Sequence, residues 1–173
     1  MNYKIDAIKI LLNKECILER YYPLIPFKDE LVGRFVKENI LTKDDAFKCD
    51  DILIDVLKDE YLVNLFKRFL NMYEINKSKL KEIDKLNLSF EESNSYKELY
   101  LLPGVKATRA KLYYLSSLKT LKDIANKTPE EIINSTNVTI KINKLDCIAP
   151  LYKETCTHIA VAKVLTEYLI SVF

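Results

Sequence analysis

Apolar residues recur at every third or fourth position along most of the chain, which is the spacing of an amphipathic α-helix. The strongest pattern lies in the segment DEYLVNLFKRFLNMY, whose apolar residues form one wide face: Leu62, Leu65, Phe66, Phe69 and Leu70. A face of this width is typical of a helix that packs against a hydrophobic core. We therefore predict a core helix at this point.

Narrower apolar stripes occur at both ends of the chain. They predict a first helix through Ile5, Ile8, Leu12 and Cys16, and a closing helix through Val161, Val164, Leu165, Tyr168 and Val172. Pro23 and Pro26 cannot continue a helix, so they separate the first helix from a second one that ends near Asn39. Thr42, with Asp45 three residues later, predicts the N-terminal cap of a further short helix.

Two later helix starts are marked by local capping signals. Thr120 is followed by Asp123 at the capping-box position, and Thr128 is followed by Pro129 and two glutamates. The chain has only two glycines and five prolines among 173 residues, which leaves little material for the tight turns of β-sheets. The sequence therefore predicts an all-α fold.

The domain boundary is predicted from a change in polarity. The segment NLSFEESNSYKE, residues 87–98, has three serines and few large apolar residues. Such a composition is typical of a segment that joins two domains. We expect an N-terminal helical domain over residues 1–87 and a second helical domain over residues 88–173.

Composition also narrows the class of protein. The N-terminal segment MNYKIDAIKILLNKECILER carries charges throughout, so we expect neither a signal peptide nor a membrane span. The four cysteines are widely spaced and form no CxxC pair, which favours reduced thiols and a cytoplasmic protein.

Residues for catalysis or metal binding are few. His158 is the only histidine, and it lies two positions from Cys156, a spacing at which helical side chains do not face each other. The aspartates at positions 44, 45, 50, 51 and 55 lack the glycine and the final glutamate of a calcium loop. No phosphate-binding loop of the GxxxxGK type is present. We therefore expect no enzyme activity, no catalytic residues, no metal site and no cofactor.

Positive charge is concentrated in one segment. The whole chain has a net charge of +2, but residues 96–128 contain seven basic and two acidic residues. The basic residues are Lys97, Lys106, Arg109, Lys111, Lys119, Lys122 and Lys127. This excess fits a polyanion-binding surface, and it equally fits the lysine-rich solvent face of ordinary helices.

One of the two glycines lies inside this basic segment, directly after a proline. Pro103 ends a helix, and Gly104 permits a backbone conformation that is closed to residues with a Cβ atom, so we predict a positive φ there. Val105 follows as an apolar residue that fixes the turn to the core. Thr108 is the predicted N-terminal cap of the next helix.

The segment LLPGVKATRAKLYYLSSLKTLKDIANKTPEEI resembles the helix-hairpin-helix family over residues 96–136. In that family, two short helices joined by a glycine-containing hairpin bind the nucleic-acid backbone without sequence preference. Lys106 stands where the family usually has a second glycine. The resemblance implies a DNA-binding site formed by the amides of the hairpin and by side chains beside them: Gly104, Val105, Lys106, Ala107, Thr108, Arg109 and Lys111.

Such domains often occur in pairs, and a second, degenerate copy is predicted near the C-terminus. The segment APLYKETCTHIAVAKVL aligns with LPGVKATRAKLYYL at an offset of 47, which matches a proline, a lysine and a threonine in the two segments. Leu151 replaces the glycine. The predicted architecture is thus an N-terminal helical region followed by a tandem helix-hairpin-helix-like domain.

The resemblance implies a non-catalytic protein that binds the backbone of double-stranded DNA without sequence specificity. An alternative is a protein-interaction or scaffold module with purely architectural hairpins, which contacts a protein partner through its N-terminal region. A further alternative is an accessory subunit whose partner enzyme supplies the chemistry.

Overall fold

The computed structural model describes residues 1–75 and 77–172, and it confirms the all-α prediction. Within this part of the chain, eleven α-helices accompany a single two-stranded antiparallel sheet. No helix in the described ranges has both the length and the apolar character that crossing a membrane requires. The elements are β1 Asn2–Tyr3, α1 Ile8–Leu11, α2 Lys28–Lys37, α3 Lys43–Ala46, α4 Asp50–Leu57, α5 Glu60–Leu70, α6 Lys77–Lys81, α7 Phe90–Leu99, α8 Ala107–Leu115, α9 Leu121–Ala125, α10 Pro129–Asn143, α11 Tyr152–Lys163 and β2 Leu169–Ser171.

The chain divides into two compact units. Unit 1 comprises Met1–Glu74 together with the C-terminal residues from Glu167 onward, and unit 2 comprises Ile75–Thr166. The sequence placed the boundary at residues 87 and 88 instead. The polar segment there opens α7, because Ser89 accepts a hydrogen bond from the Glu92 amide and the Glu92 side chain accepts one from the Ser89 amide. Polar residues in this segment thus cap a helix rather than form a linker.

The core of unit 1 is built around the predicted core helix, α5. Phe66 and Phe69 of this helix are fully buried, and their rings lie 5.9 Å apart. Phe35 of α2 stacks on Phe66 at 6.2 Å, and Tyr21 meets Phe69 edge-on at 6.0 Å. Tyr21 belongs to a 3₁₀-helix over Glu19–Phe27. This helix contains Pro23 and Pro26 and ends where α2 begins. The prolines therefore interrupt α-helix formation at the predicted place.

The helices at the two ends of the chain are shorter than the apolar stripes predicted. The first helical segment is a 3₁₀ turn over Ile5–Ala7 followed by the single α-helical turn of α1. At the other end, α11 passes into a π-helical turn over Val164–Tyr168, and the chain then forms β2. β2 pairs antiparallel with β1, and the Lys4 amide donates to the Tyr168 carbonyl at 2.9 Å. The prediction that a helix reaches Val172 was wrong, because pairing with a distant strand satisfies the backbone there.

Unit 2 contains two helical hairpins, α7–α8 and α10–α11, which are joined by the short helix α9 and preceded by α6. α7 packs against α8, α10 packs against both α8 and α11, and α9 packs against α11. Fully buried residues from α7 to α11 form the core between these helices, among them Leu99, Leu102, Val105, Tyr113, Ile124 and Ile132. This arrangement places the Gly104 turn between α7 and α8.

The local capping signals identified three helix starts correctly and one incorrectly. Thr42 accepts a hydrogen bond from the Asp45 amide, and Thr120 and Thr128 each form a complete capping box. Thr108, by contrast, lies inside α8, whose N-cap is Lys106. The prediction of a cap at Thr108 was wrong because the helix begins two residues earlier than a threonine cap requires.

We expect Thr128→Ala to lower the free energy of unfolding by about 1 kcal/mol, since it removes the oxygen that accepts the Glu131 amide at 3.2 Å. Thr108→Ala is the matched control, and it should change stability by less than about 0.5 kcal/mol. Urea denaturation followed by circular dichroism measures both values. Equal losses in the two variants would contradict the assigned start of α8.

Candidate nucleic-acid interface

The Gly104 turn has the geometry that the sequence predicted. Gly104 has a φ of 71°, in the left-handed region that disfavours residues with a Cβ atom, so this prediction is confirmed. Val105 is fully buried, and its amide donates to the Leu102 carbonyl at 3.3 Å. The Val105 side chain therefore fixes the turn to the core as predicted. Its amide closes the turn and is not available to an external phosphate, which corrects one member of the predicted site.

The start of α8 presents backbone donors without a side-chain cap. Lys106 is the N-cap residue, and a lysine side chain has no acceptor atom. The first intrahelical hydrogen bond runs from the Ala110 amide to the Lys106 carbonyl. The amides of Ala107, Thr108 and Arg109 precede it, and so they have no acceptor within the helix. Together with the helix dipole, these donors favour an anion at this end of α8.

Lys106 occupies the position of the family's second glycine without backbone strain. Its φ of −130° lies in the extended region that any residue adopts. The Lys106 and Thr108 residues are exposed, as is Lys111 in the following turn of α8. These three predicted site residues, with Gly104, therefore lie on the solvent side of the hairpin.

A further lysine contributes to the charge at this turn, and the sequence analysis did not identify it. The Lys79 ammonium donates to the carbonyls of Tyr100 at 2.8 Å and Leu102 at 3.1 Å, which follow the end of α7. Burial lowers the pKa of Lys79, and the positive charge of Lys106 lowers it further. Because Lys79 lies more than twenty positions before these carbonyls, no local sequence signal connects them.

Arg109 has a structural partner that the sequence did not predict. Its guanidinium forms a two-point ion pair with Glu154, with Nε 3.0 Å from Oε1 and Nη2 3.2 Å from Oε2. The remaining Nη1 donates to the Ile148 carbonyl at 2.8 Å. Only 18% of the Arg109 side chain is exposed. The resemblance implied a contact of Arg109 with DNA, but its side chain instead ties α8 to α11 and to the loop before α11.

His158 holds the glycine turn from the interior. Its Nε2 lies 2.9 Å from the Pro103 carbonyl oxygen, and its Nδ1 lies 2.7 Å from the Tyr113 hydroxyl. A carbonyl oxygen only accepts, so Nε2 must carry the proton. In the neutral ring, Nδ1 then accepts from Tyr113. Burial lowers the pKa of His158 from its ordinary value and outweighs the opposing effect of the Pro103 hydrogen bond. The histidine is therefore a packed residue that orders the turn.

A depression of about 360 Å³ lies beside the hairpin. Four predicted site residues line it, together with three residues from the loop before α11 and from α11 itself. The lining consists of Gly104, Lys106, Thr108, Arg109, Cys147, Ile148 and Glu154. The last three were not predicted from the sequence, because no short-range pattern relates them to the glycine turn.

The second helices of the two hairpins of unit 2 start at a different separation from the predicted offset. α8 begins at Ala107 and α11 begins at Tyr152, which are 45 positions apart, whereas the aligned motifs were 47 apart. Arg109 pairs with Glu154, and Tyr113 pairs with His158, also at separations of 45. Residues at equivalent helical positions thus contact each other directly. The match of proline, lysine and threonine at an offset of 47 therefore does not align the starts of the two helices.

The acidic residues of unit 1 take part in caps and ion pairs. Asp45 belongs to the Thr42 cap, Asp50 pairs with Lys67, and Asp55 lies 2.6 Å from Arg34. No group of three or more His, Cys, Asp or Glu residues is suited to a metal ion among residues 1–75 and 77–172. The four cysteines all lie among the described residues, and they form no disulfide with one another.

Comparison with known proteins gave no relative for this chain. No protein-family model, no curated protein sequence and no solved structure matches it. The resemblance to helix-hairpin-helix domains therefore rests on the quoted residues alone, and the function implied by it stays a proposal.

We expect the two glycines to respond oppositely to alanine. Gly104→Ala should destabilise the protein by about 1–2 kcal/mol, because a Cβ atom is strained at this positive φ although space is open around it. Gly33→Ala should stabilise it by roughly 0.5–1 kcal/mol, since Gly33 lies within α2 and also has open space. Chemical denaturation measures both variants. A harmless Gly104→Ala would contradict the left-handed turn.

We expect His158 to make the protein less stable in mild acid. Its pKa is below the ordinary value of 6.5 in the folded state, so the unfolded state binds more protons between the two pKa values. The contribution of the neutral ring is complete above pH 6.5 and is lost as the pH falls through the folded pKa. The free energy of unfolding should therefore decrease as the pH falls below the ordinary pKa of 6.5, by at most about 1.4 kcal/mol per pH unit.

His158→Gln is the matched variant, because a glutamine side chain donates and accepts hydrogen bonds without titrating. Urea denaturation across this pH range should show a flatter profile than in the wild type. The carboxylates with lowered pKa, such as Glu74 and Glu131, affect the pH dependence of stability only at lower pH, where they become protonated. Parallel profiles for the two proteins would show that His158 is not the titrating group.

Proposed function

We propose that this protein binds the sugar–phosphate backbone of double-stranded DNA at the Gly104 hairpin, without sequence specificity and without catalysis. One observation supports this function above the others. The start of α8 has no side-chain cap, so the amides of its first turn have no acceptor within the helix, and an exposed lysine is the N-cap residue itself. Amides of this kind bind phosphate oxygens, and an adjacent ammonium group adds a charge-assisted contact.

The distribution of charge agrees with a polyanionic partner for unit 2. Residues 75–166 carry 15 lysines and arginines against 10 aspartates and glutamates, a net charge of +5. The remainder of the chain has a net charge of −3. Electrostatic attraction to phosphates therefore acts on unit 2, although the net charge of the whole chain is only +2.

The proposed contacts are a subset of the residues that the resemblance implied. Gly104, Lys106, Ala107, Thr108 and Lys111 contact phosphates, through amides of the hairpin and exposed side chains. Val105 and the Arg109 side chain hold the hairpin in place instead, since one is buried and the other is paired. Contacts to phosphates position a protein without reading bases, so the binding is independent of sequence.

A protein-interaction module is a second candidate function, and one observation favours it. Val138 and Ile142 lie four positions apart on α10. Val138 is 54% exposed and Ile142 is 73% exposed. Residues at this spacing share one helix face. An apolar exposed face of this kind fits a groove on a partner protein.

The DNA-binding proposal is tested by fluorescence anisotropy with duplexes of several unrelated sequences. Lys106→Glu/Lys111→Glu should weaken binding to every sequence alike and lower the slope of log K against log salt by about one per lysine. Arg109 stays unchanged, because its substitution would break the pair with Glu154.

Lys37→Glu/Lys48→Glu is the matched control, since both lysines are exposed in unit 1 and the change in net charge is the same. This variant should retain wild-type affinity. Absence of binding by the wild type at low salt would contradict the proposal. An equal loss in both variants would show that net charge, and not the hairpin, governs binding.

A further inference from the structure

Two large apolar side chains are exposed in the loop that lines one side of the proposed phosphate site. Ile148 is 73% exposed and Leu151 is 68% exposed, and both belong to the loop between α10 and α11. Ile148 lines the same depression as Gly104 and Lys106. An exposed apolar side chain therefore lies next to the basic turn.

This loop is held in position by its backbone. The Ile148 carbonyl accepts from the Arg109 guanidinium at 2.8 Å, and the Leu151 amide donates to Glu154 at 3.3 Å. Arg109 and Glu154 are themselves paired, and Pro150 between the two apolar residues is buried. The loop therefore presents Ile148 and Leu151 outward from an ordered backbone, at little further entropic cost on binding.

We propose that Ile148 and Leu151 contact unpaired bases, so that the site binds DNA with an unstacked base step in preference to continuous duplex. This inference rests on the proposed function and names its substrate class. The positive charge of the neighbouring turn calls for a partner with anionic groups, and the apolar pair calls for apolar surface on the same partner. Nucleic acid supplies both, but the faces of its bases become accessible only where stacking is interrupted.

An anionic lipid surface also combines charge with apolar groups, but it fits this site less well. Proteins that lie on membranes present a long helix with a broad apolar face. Here the apolar contact consists of two residues in a loop, next to a depression and to backbone donors suited to single phosphates. The observations therefore favour bases as the occupant.

The inference is tested by anisotropy titration with three labelled DNAs of equal length: a paired duplex, the same duplex with a central mismatched bubble, and a single strand. The wild type should bind the bubble about tenfold more tightly than the paired duplex. Ile148→Ser/Leu151→Ser should remove this preference and leave affinity for the paired duplex unchanged. The substitutions keep the backbone groups that hold the loop.

Leu41→Ser/Ile54→Ser is the matched control, because it removes two exposed apolar side chains from unit 1 and should keep the preference. Equal binding of bubble and duplex by the wild type would overturn the inference and leave the proposed function intact. Absence of binding to all three DNAs would overturn both. Binding to phosphatidylserine vesicles that is lost in Ile148→Ser/Leu151→Ser, with DNA binding unaffected, would overturn the inference in favour of a lipid surface.

Discussion

The hydrogen bond between His158 and the Pro103 carbonyl connects the interior of unit 2 to the turn on which the proposed site depends. The imidazole is 1% exposed, and the Tyr113 hydroxyl holds its second nitrogen, so the direction of the Nε2 donor is fixed. Pro103 directly precedes Gly104, and α8 begins at Ala107, three residues after the glycine. One buried side chain therefore orients the turn, and the turn orients the first amides of the helix.

Arg109 shows how a residue of the expected type can serve a different purpose. Arginine is a common partner of phosphate, yet a two-point pair with Glu154 uses this guanidinium inside the protein. The pair joins α8 to α11 and also holds the apolar loop beside the turn. The charges that face outward are those of Lys106 and Lys111. Buried and paired groups thus hold the hairpin in shape, and exposed lysines and backbone amides form the surface of the proposed site.

Interactions between neighbours in the chain were the most accessible to sequence reasoning. The Thr120 and Thr128 caps involve residues three positions apart, and the positive φ of Gly104 follows from a glycine placed between a proline and a helix start. The core face of α5 follows from the helical repeat and from the size of its apolar residues. In each case one or two turns of backbone determine the structure, so the amino-acid types are sufficient evidence.

Long-range contacts were decided only by the tertiary structure. Three sets of contacts join residues that are 21 to 55 positions apart. They are the Arg109–Glu154 pair, the contact of His158 with Pro103, and the bonds from Lys79 to the carbonyls that follow α7. The strand at the C-terminus exists because β1 pairs with it, and nothing in the local sequence specifies that partner. The sequence determined an all-α chain with a basic glycine turn, because helix periodicity and capping are local. The tertiary structure decided which charged side chains stay exposed. A charged side chain is buried only where folding brings a partner from a distant part of the chain into contact with it.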